Sequence, residues 1–399
     1  MDVDSEGSIY VTGAFQDEWN MTNEKMVASG GSDIFLAKYD AKGDIIWLRS
    51  SGGDYSRRHV ISEYGSKVKV DPEGNIYNVG VFMNIAKFQN QTLISEGGSD
   101  IFISKYDSNG SLIWANNFGG KGSDIPKDLQ IDDRGNVFIT GSFKEDIDFS
   151  TFRLTSNNGQ SNFIVKLKRD GNLEWAKQFN SSIFKSIELI RFTKGGLLIS
   201  GHLGNDSNGV NNKFDEHQMY SYIALLSETG DVKWTYIVSS NRKIMISDVV
   251  VTARNEATFI GSFAGEIYDG NRKLLSSGGL DILLGRIETG SGKILNLQTL
   301  GGSNDQIGKS ISESSSGLIF SGEFQSEITL DGNKVLEGSS DVFYGFLDND
   351  LSIHGLRKLG GKGRNSNNEL LVKEDNIFLI GDFNNDVQFN ELSISSLGY

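Results

Sequence analysis

The stretch GGSDIFISKYDSNGSLIWANNFGGKGSDIPKDLQIDDRGNVFITGSF, residues 97–143, holds three strand-like runs and a fourth, shorter one, each closed by a Gly, Asn or Asp turn. It is a template copied along the chain. The clearest mark is the Gly-x-Phe that closes NVFITGSF, whose glycine recurs as Gly13, Gly80, Gly141, Gly201, Gly261, Gly322 and Gly381. Successive copies lie 67, 61, 60, 60, 61 and 59 residues apart. A period near 60 kept through seven copies defines a repeat protein, and the period constrains the fold before any single residue does.

Each repeat opens with a short run, strand a: Val68–Asp71, Leu129–Asp132, Ile187–Arg191 and Val249–Thr252 are examples. A turn such as DPEG or DDRG leads into strand b, which carries the marker glycine (SIYVTG, NIYNVG, NVFITG, NIFLIG). A connection follows that often contains a small hairpin of its own. TLDGNKVL and YDGNRKLL place Asp-Gly between apolar flanks, a strong local hairpin signal. Strand c comes next (DIFLAKYD, DIFISKYD, NFIVKLK, YIALLS, DILLGRI, DVFYGFLD), then a turn and strand d with Trp47, Trp114, Trp175 and Trp234 in one register. Gly-Gly ends strand d in several repeats, as at Gly119–Gly120 and Gly301–Gly302.

Strands b and c are apolar on both faces, as expected of sheets packed on two neighbours. Helical solenoids fail, because no 3.6-residue apolar period is present. A parallel β-helix fails because its rungs are shorter, at roughly 20–30 residues. The expected fold is therefore an all-β β-propeller of four-stranded antiparallel blades with seven repeat units, six complete and the seventh holding inner strands only. It is read as a single domain over 1–399. The repeats run approximately 1–65, 66–125, 126–184, 185–243, 244–305, 306–366 and the incomplete 367–399. LSISSLGY at the end aligns with TLISEGGS of repeat 2, so strand c of the seventh repeat would follow it. Strand b there is expected to show an unpaired edge, with Asp382, Asn384, Asn385 and Asp386 just beyond it.

A marker glycine in every repeat implies a neighbouring backbone too close for a Cβ, or a bulge. The Phe two residues on (Phe15, Phe82, Phe143, Phe263, Phe324, Phe383, with Leu203 in repeat 4) is expected in the core between repeats. The Trp series is read the same way.

Asp+Glu 52 against Lys+Arg 38 gives a net charge of -14. That excess argues against nucleic acid, whose phosphates call for Lys and Arg, and against anionic membrane surfaces. No apolar run approaches the ~20 residues that span a bilayer. Cys is absent, which removes disulfides, thiolate chemistry and Cys-based zinc sites. The first residues, MDVDSEGSIYVTG, begin inside a repeat and are expected to belong to a longer chain.

These residues resemble the bacterial SBBP-type β-propeller repeat: GGKGSDIPKDLQIDDRGNVFITGSF followed by GGSDIF(I/L)(S/A)KYD…G…W carries the likeness. It covers nearly the whole chain and is strongest in repeats 1, 2 and 3. Repeats 5 and 6 depart from it, with Leu295 or Asn296 and Gly355 in place of the strand-d Trp, and repeat 4 has Ser239–Ser240 where Gly-Gly is expected. The resemblance implies a propeller in secreted or cell-surface bacterial proteins and no particular activity. A fainter likeness to quinone-type dehydrogenase propellers rests on ETGDVKW and a recurring Asp-x-x-Gly-x-x-x-Trp.

Candidate chemistry is sparse. His59, His202, His217 and His354 fall at unrelated repeat positions, and no His-Glu-x-x-His, Gly-x-Ser-x-Gly or phosphate loop is present. No catalytic or cofactor-binding residue is therefore assigned. The Asp of Gly-Gly-x-Asp recurs as Asp33, Asp100, Asp281 and Asp341, with Ser161 and Tyr220 at the other two positions. These are read as caps of the Gly-Gly turn, against a competing reading as converging calcium ligands. NDSNGVNNKFDE, residues 205–216, offers oxygen ligands in Asp206, Asn208 and Asn211 for calcium but lacks the terminal Glu at the right spacing.

The function expected is a non-catalytic binding or scaffolding module outside the cell, engaging a protein or a glycan through face loops. The competing class is a polysaccharide-active hydrolase or lyase, which would need paired carboxylates in a pocket at the central channel.

Overall fold

Every regular element of the described chain is a β-strand. The computed structural model describes residues 1–21, 24–29, 31–53, 63–180, 183–204, 217–269, 272–330, 333–362, 365–383, 386–389 and 392–395. Among them no helix is long and apolar enough to cross a membrane. Two compact units divide the chain, Met1–Ile190 and Arg191–Tyr399.

Within each unit the same sheet recurs, antiparallel, with strands hydrogen-bonded in the order a, b, c, d. In repeat 3 these are Ile125–Ile131, Val137–Asp148, Arg153–Leu167 and Leu173–Phe179. Strand a starts earlier than its apolar core suggests: in repeat 2 it runs Tyr64–Val70 and in repeat 5 Lys243–Val251. Several a–b and c–d turns close in one way. Asp40, Asp71, Asp107 and Asp132 each accept the amides two and four residues on. A glycine with positive φ completes each turn, such as Gly110 at 75°.

Both alternatives for the marker glycine hold at once. Strand a bulges opposite it, between Gly65 and Lys67, Pro126 and Asp128, and Ile246 and Asp248. The bulge turns a carbonyl inward, so a Cβ on Gly141 would meet the Ile125 oxygen at 2.3 Å and one on Gly261 the Met245 oxygen at 2.1 Å. At the bulge Asp128 reaches the next repeat, accepting from the Ile190 amide at 2.9 Å, and Asp248 accepts from the Ile311 amide at 3.0 Å.

The core lies between adjacent sheets. Tyr77, Val79, Ile101 and Ile103 of repeat 2 pack with Leu129, Val137, Ile139, Phe143 and Phe163 of repeat 3. Ile260, Ile282 and Leu284 of repeat 5 pack with Phe320, Phe324 and Phe343 of repeat 6. Phe15, Phe82, Phe143, Phe263, Phe324 and Leu203 are buried as expected, and Phe383 is half-buried.

The b–c connections form clasps rather than free hairpins. Strands b and c of repeats 2, 3 and 6 simply lengthen, as in Ile76–Phe88 with Gln91–Tyr106. Repeats 1 and 5 form separate short hairpins, Glu18–Met21 with Glu24–Val27 and Glu266–Asp269 with Arg272–Leu275. The lengthened hairpins bridge back to the Gly-Gly end of the preceding strand d at Gly52–Lys87, Gly119–Asp148 and Gly301–Thr329. The end of the chain follows the same rule. Asn365–Lys373 and Asn376–Phe383, strands a and b of repeat 7, pair only with each other among the described residues. The hairpin after them, Asp386–Phe389 with Leu392–Ser395, joins the sheet of repeat 6 through Gly360–Lys362. Repeat 7 thus contributes a clasp as well as its two inner strands. Asn384 and Asn385 lie outside the described residues.

Candidate functional site

The Gly-Gly-x-Asp carboxylates are turn caps, but they sit inside the protein. Asp33, Asp100, Asp281 and Asp341 are all at most 3% exposed. The first three accept from the amide preceding the Gly-Gly pair: Ser29 at 3.0 Å, Glu96 at 2.9 Å and Ser277 at 2.8 Å. Each carboxylate then packs on the first glycine of the strand-d pair. A Cβ on Gly119 would meet the Asp100 Cγ at 2.1 Å, and one on Gly301 the Asp281 Oδ2 at 2.1 Å. Ser161 replaces the carboxylate in repeat 3 and donates to Ser156.

A second buried polar side chain stands at or just before the first residue of the next strand a, and in three repeats it faces the Asp. Sequence reading did not pick out this second position. It is Glu63, Asp124, Gln306 and Asn365, each at most 3% exposed. Gly53 donates its amide to Glu63 at 3.2 Å, and Gly120 to Asp124 at 3.0 Å. Burial first, and then the charge of Asp33, pushes Glu63 up to about 8. Burial and then Asp100 push Asp124 up to about 8. These pairs are closed to a substrate by their burial, so they do not form the open pocket that glycoside cleavage needs.

Asp206, Asn208 and Asn211 lie outside the described residues, as does His59. His202 meets Ser221 at 3.2 Å and His354 meets Asp348 at 2.9 Å. Among the described residues, no group of three or more His, Asp or Glu is placed to hold a metal.

The Trp series corrects the expectation of a uniform core residue. Trp47 is buried, whereas Trp114, Trp175 and Trp234 are only half-buried. Trp47, Trp114 and Trp234 lie over the positive-φ glycine of the next c–d turn: Gly110, Gly171 and Gly292. Trp47 Nε1 donates to the Ser108 carbonyl at 3.2 Å and Trp234 Nε1 to the Thr289 carbonyl at 3.0 Å. Repeat 5 has no Trp, and the register gives its position to Asn296 rather than Leu295. Asn296 makes the same bond through Nδ2, to the Asp350 carbonyl at 2.7 Å.

Trp114 breaks this pattern. Its Nε1 is buried and has no partner. The ring lines an open cleft of about 710 Å³ in the first unit, where strands c and d of repeats 2 and 3 meet their turns. Lys105, Arg134, Lys166, Lys168 and Arg169 line it, against two carboxylates, Asp170 and Glu174. Lys105 is 4% exposed, and among the described residues no carboxylate lies within ion-pair distance of it. Its ammonium lies 4.7 Å from the centre of the Tyr77 ring. Burial pushes the Lys105 ammonium down, and Asp71 partly offsets that. Both carboxylates are already committed. Asp170 is held below its ordinary value by the backbone and side chain of Asn172, and Glu174 pairs with Lys166 at 3.0 Å.

No protein-family model matches the chain. An uncharacterized WD repeat-containing protein of Acanthamoeba polyphaga mimivirus is 25% identical over 197 residues, 42% of this chain. Regulatory protein FlaEY of Caulobacter vibrioides is 23% identical over 172 residues, also 42% of this chain. The chain spans only 14% and 18% of the length of these curated relatives. Among solved structures, Kuenenia stuttgartiensis hydrazine synthase aligns over 96% of this chain and 94% of that one, at 9% identity and a TM-score of 0.49. That last likeness bears on neither activity nor ligand. The WD-repeat match, together with the recurring four-stranded antiparallel sheets, supports a β-propeller repeat protein.

Proposed function

We propose that the chain is a non-catalytic binding module of the SBBP type, displayed outside the cell, and that its basic cleft takes an acidic saccharide. The observation that carries this reading is local charge inversion. A chain of net charge -14 gathers five cations around one cleft, of which Lys166 and Arg169 are paired with Glu174 and Glu73, and sets the half-buried Trp114 ring among them. A ligand carboxylate, sulfate or phosphate would pair with the exposed Arg134 and Lys168. The half-buried indole offers a flat apolar face, suited to a sugar ring. Asp170, held below its ordinary value, and Glu174, ion-paired with Lys166, support binding over cleavage, because a general acid needs a proton to donate. The location outside the cell rests on the SBBP resemblance alone.

A glycan array probed with the chain tests this. Acidic oligosaccharides should bind and their neutral counterparts should not. The double charge reversal Arg134→Glu with Lys168→Glu, at exposed turn positions, should lower affinity by roughly tenfold or more. Equal binding of neutral glycans, or no glycan bound at all, would contradict the reading.

A further inference from the structure

Three repeats carry the same buried two-residue slot: Asp33 with Glu63, Asp100 with Asp124 and Asp341 with Asn365. The first member is Asp throughout, while the second is an acid in two repeats and an amide in the third; the equivalent Gln306 of repeat 5 donates instead to the Glu327 carbonyl at 3.0 Å. In the acid pairs one oxygen of each carboxyl is capped by a backbone amide, and the other accepts nothing. Oδ1 of Asp33, Oε1 of Glu63, Oδ1 of Asp100 and Oδ1 of Asp124 are all buried without a hydrogen-bond partner. Asp33 Oδ1 and Glu63 Oε2 both lie within 2.7 Å of the point that a Cβ on Gly52 would occupy, so the two side chains share one small space. Asn365 shows what the slot requires, because its Nδ2 donates to Asp341 Oδ1 at 3.2 Å.

We propose that each acid pair holds a proton in the folded chain, with Glu63 and Asp124 in the neutral form that Asn365 has at every pH, so that alkaline conditions charge the pairs and loosen the fold. An undissociated carboxyl is close in shape to a primary amide and, like it, supplies the missing donor. Two buried carboxylates left charged would repel each other with no counterion to offset the desolvation cost. A calcium ion is the competing occupant, but it takes six to eight oxygens, and each pair offers two free ones. Glu63 faces Asp33. Asp124 faces Asp100 and Asp146, and Asp146 is itself paired with Arg153. Glu96 faces Asp100.

The sign of the pH effect follows. Both groups are raised above their unfolded values, so their contribution is intact below the ordinary carboxylate range and is lost as pH rises through about 8. Asp100 is pushed up to about 6 by burial, so its proton contributes to the slope on the acidic side of the same window. This inference does not depend on the saccharide reading.

Thermal melts of the whole chain from about pH 5 to about pH 9 at fixed ionic strength, with EDTA or with calcium, test it. The melting temperature should fall by several degrees across the window. Glu63→Gln with Asp124→Asn should flatten that fall and melt above the parent at the alkaline end, with neither EDTA nor calcium moving either protein. A double variant whose profile parallels the parent would overturn the proposal, as would calcium raising the melting temperature of the parent alone. Infrared spectra of the parent at neutral pH give an independent reading even if the variant does not fold. A protonated-carboxyl carbonyl band should be present, and its absence would also overturn the proposal.

Discussion

The glycine pair closing strand d shows how one residue type meets two demands at adjacent positions. The first glycine leaves room for the Asp carboxylate of its own sheet, and the second for a carbonyl of the next repeat's clasp. A Cβ on Gly120 would stand 2.3 Å from the Asp146 oxygen, and one on Gly302 equally close to that of Glu327. Backbone on one side and a bonded neighbour on the other leave little freedom to relax, so Gly120→Ala should destabilise by roughly 1–3 kcal/mol. Gly43 is a different case: its φ is +88°, but a Cβ there would meet nothing within 4 Å. Gly43→Ala should therefore cost only conformational strain, roughly 1 kcal/mol. Urea unfolding midpoints at constant slope would measure both. A Gly120→Ala variant as stable as the parent would mean that the clasp is looser than described. The recurrence of Gly-Gly and Gly-x-Phe was legible in the sequence. Their separate steric reasons were not, because each involves a partner distant in the chain: Asp100 for Gly119, Asp146 for Gly120 and Ile125 for Gly141.

At the scale of the element, the strand-d residue and the next c–d turn form a link that passes from one repeat to the next. Trp47 and Trp234 make it through an indole N–H, and Asn296 makes it through an amide. Sequence reading grouped the four Trp as core because they share a register, but register does not fix exposure. Trp47 is 6% exposed and also contacts the Tyr10 ring, with centroids 6.4 Å apart. Trp47→Ala should therefore cost about 3–5 kcal/mol. Trp114 is half-buried and its N–H is unbonded, so Trp114→Ala should cost clearly less while weakening saccharide binding. Asn296→Ala removes one hydrogen bond and little packing, a loss of about 1 kcal/mol. Equal losses at Trp47 and Trp114, measured by calorimetry, would return Trp114 to the core and remove it from the cleft.

At the scale of the whole molecule, the period near 60 and the two-faced strands were enough to foresee an all-β chain of four-stranded antiparallel sheets. The clasp was anticipated only as a local hairpin. Its second half, pairing with the preceding repeat, is invisible to local turn chemistry. The basic cleft was not anticipated. Lys105, Arg134, Lys166, Lys168 and Arg169 are spread over two repeats, and in sequence they are diluted by an acidic majority. The sequence did contain one signal: K and R sit together in the repeat 3 turns, at DDRGN and KLKRDG, where other repeats have fewer cations. The calcium ligands considered instead, Asp206, Asn208 and Asn211, fall outside the described residues.

The claim that the basic cleft is the binding site is tested most directly by calorimetric titration of an acidic oligosaccharide at low and at high salt, with tryptophan emission followed in parallel. Binding should weaken as salt rises, because exposed cations carry part of it. It should shift the emission of the parent and fail to shift that of Trp114→Phe by the same amount. Its neutral counterpart should give no heat. Salt-independent binding, or an emission change that persists undiminished in Trp114→Phe, would contradict the assignment of this cleft.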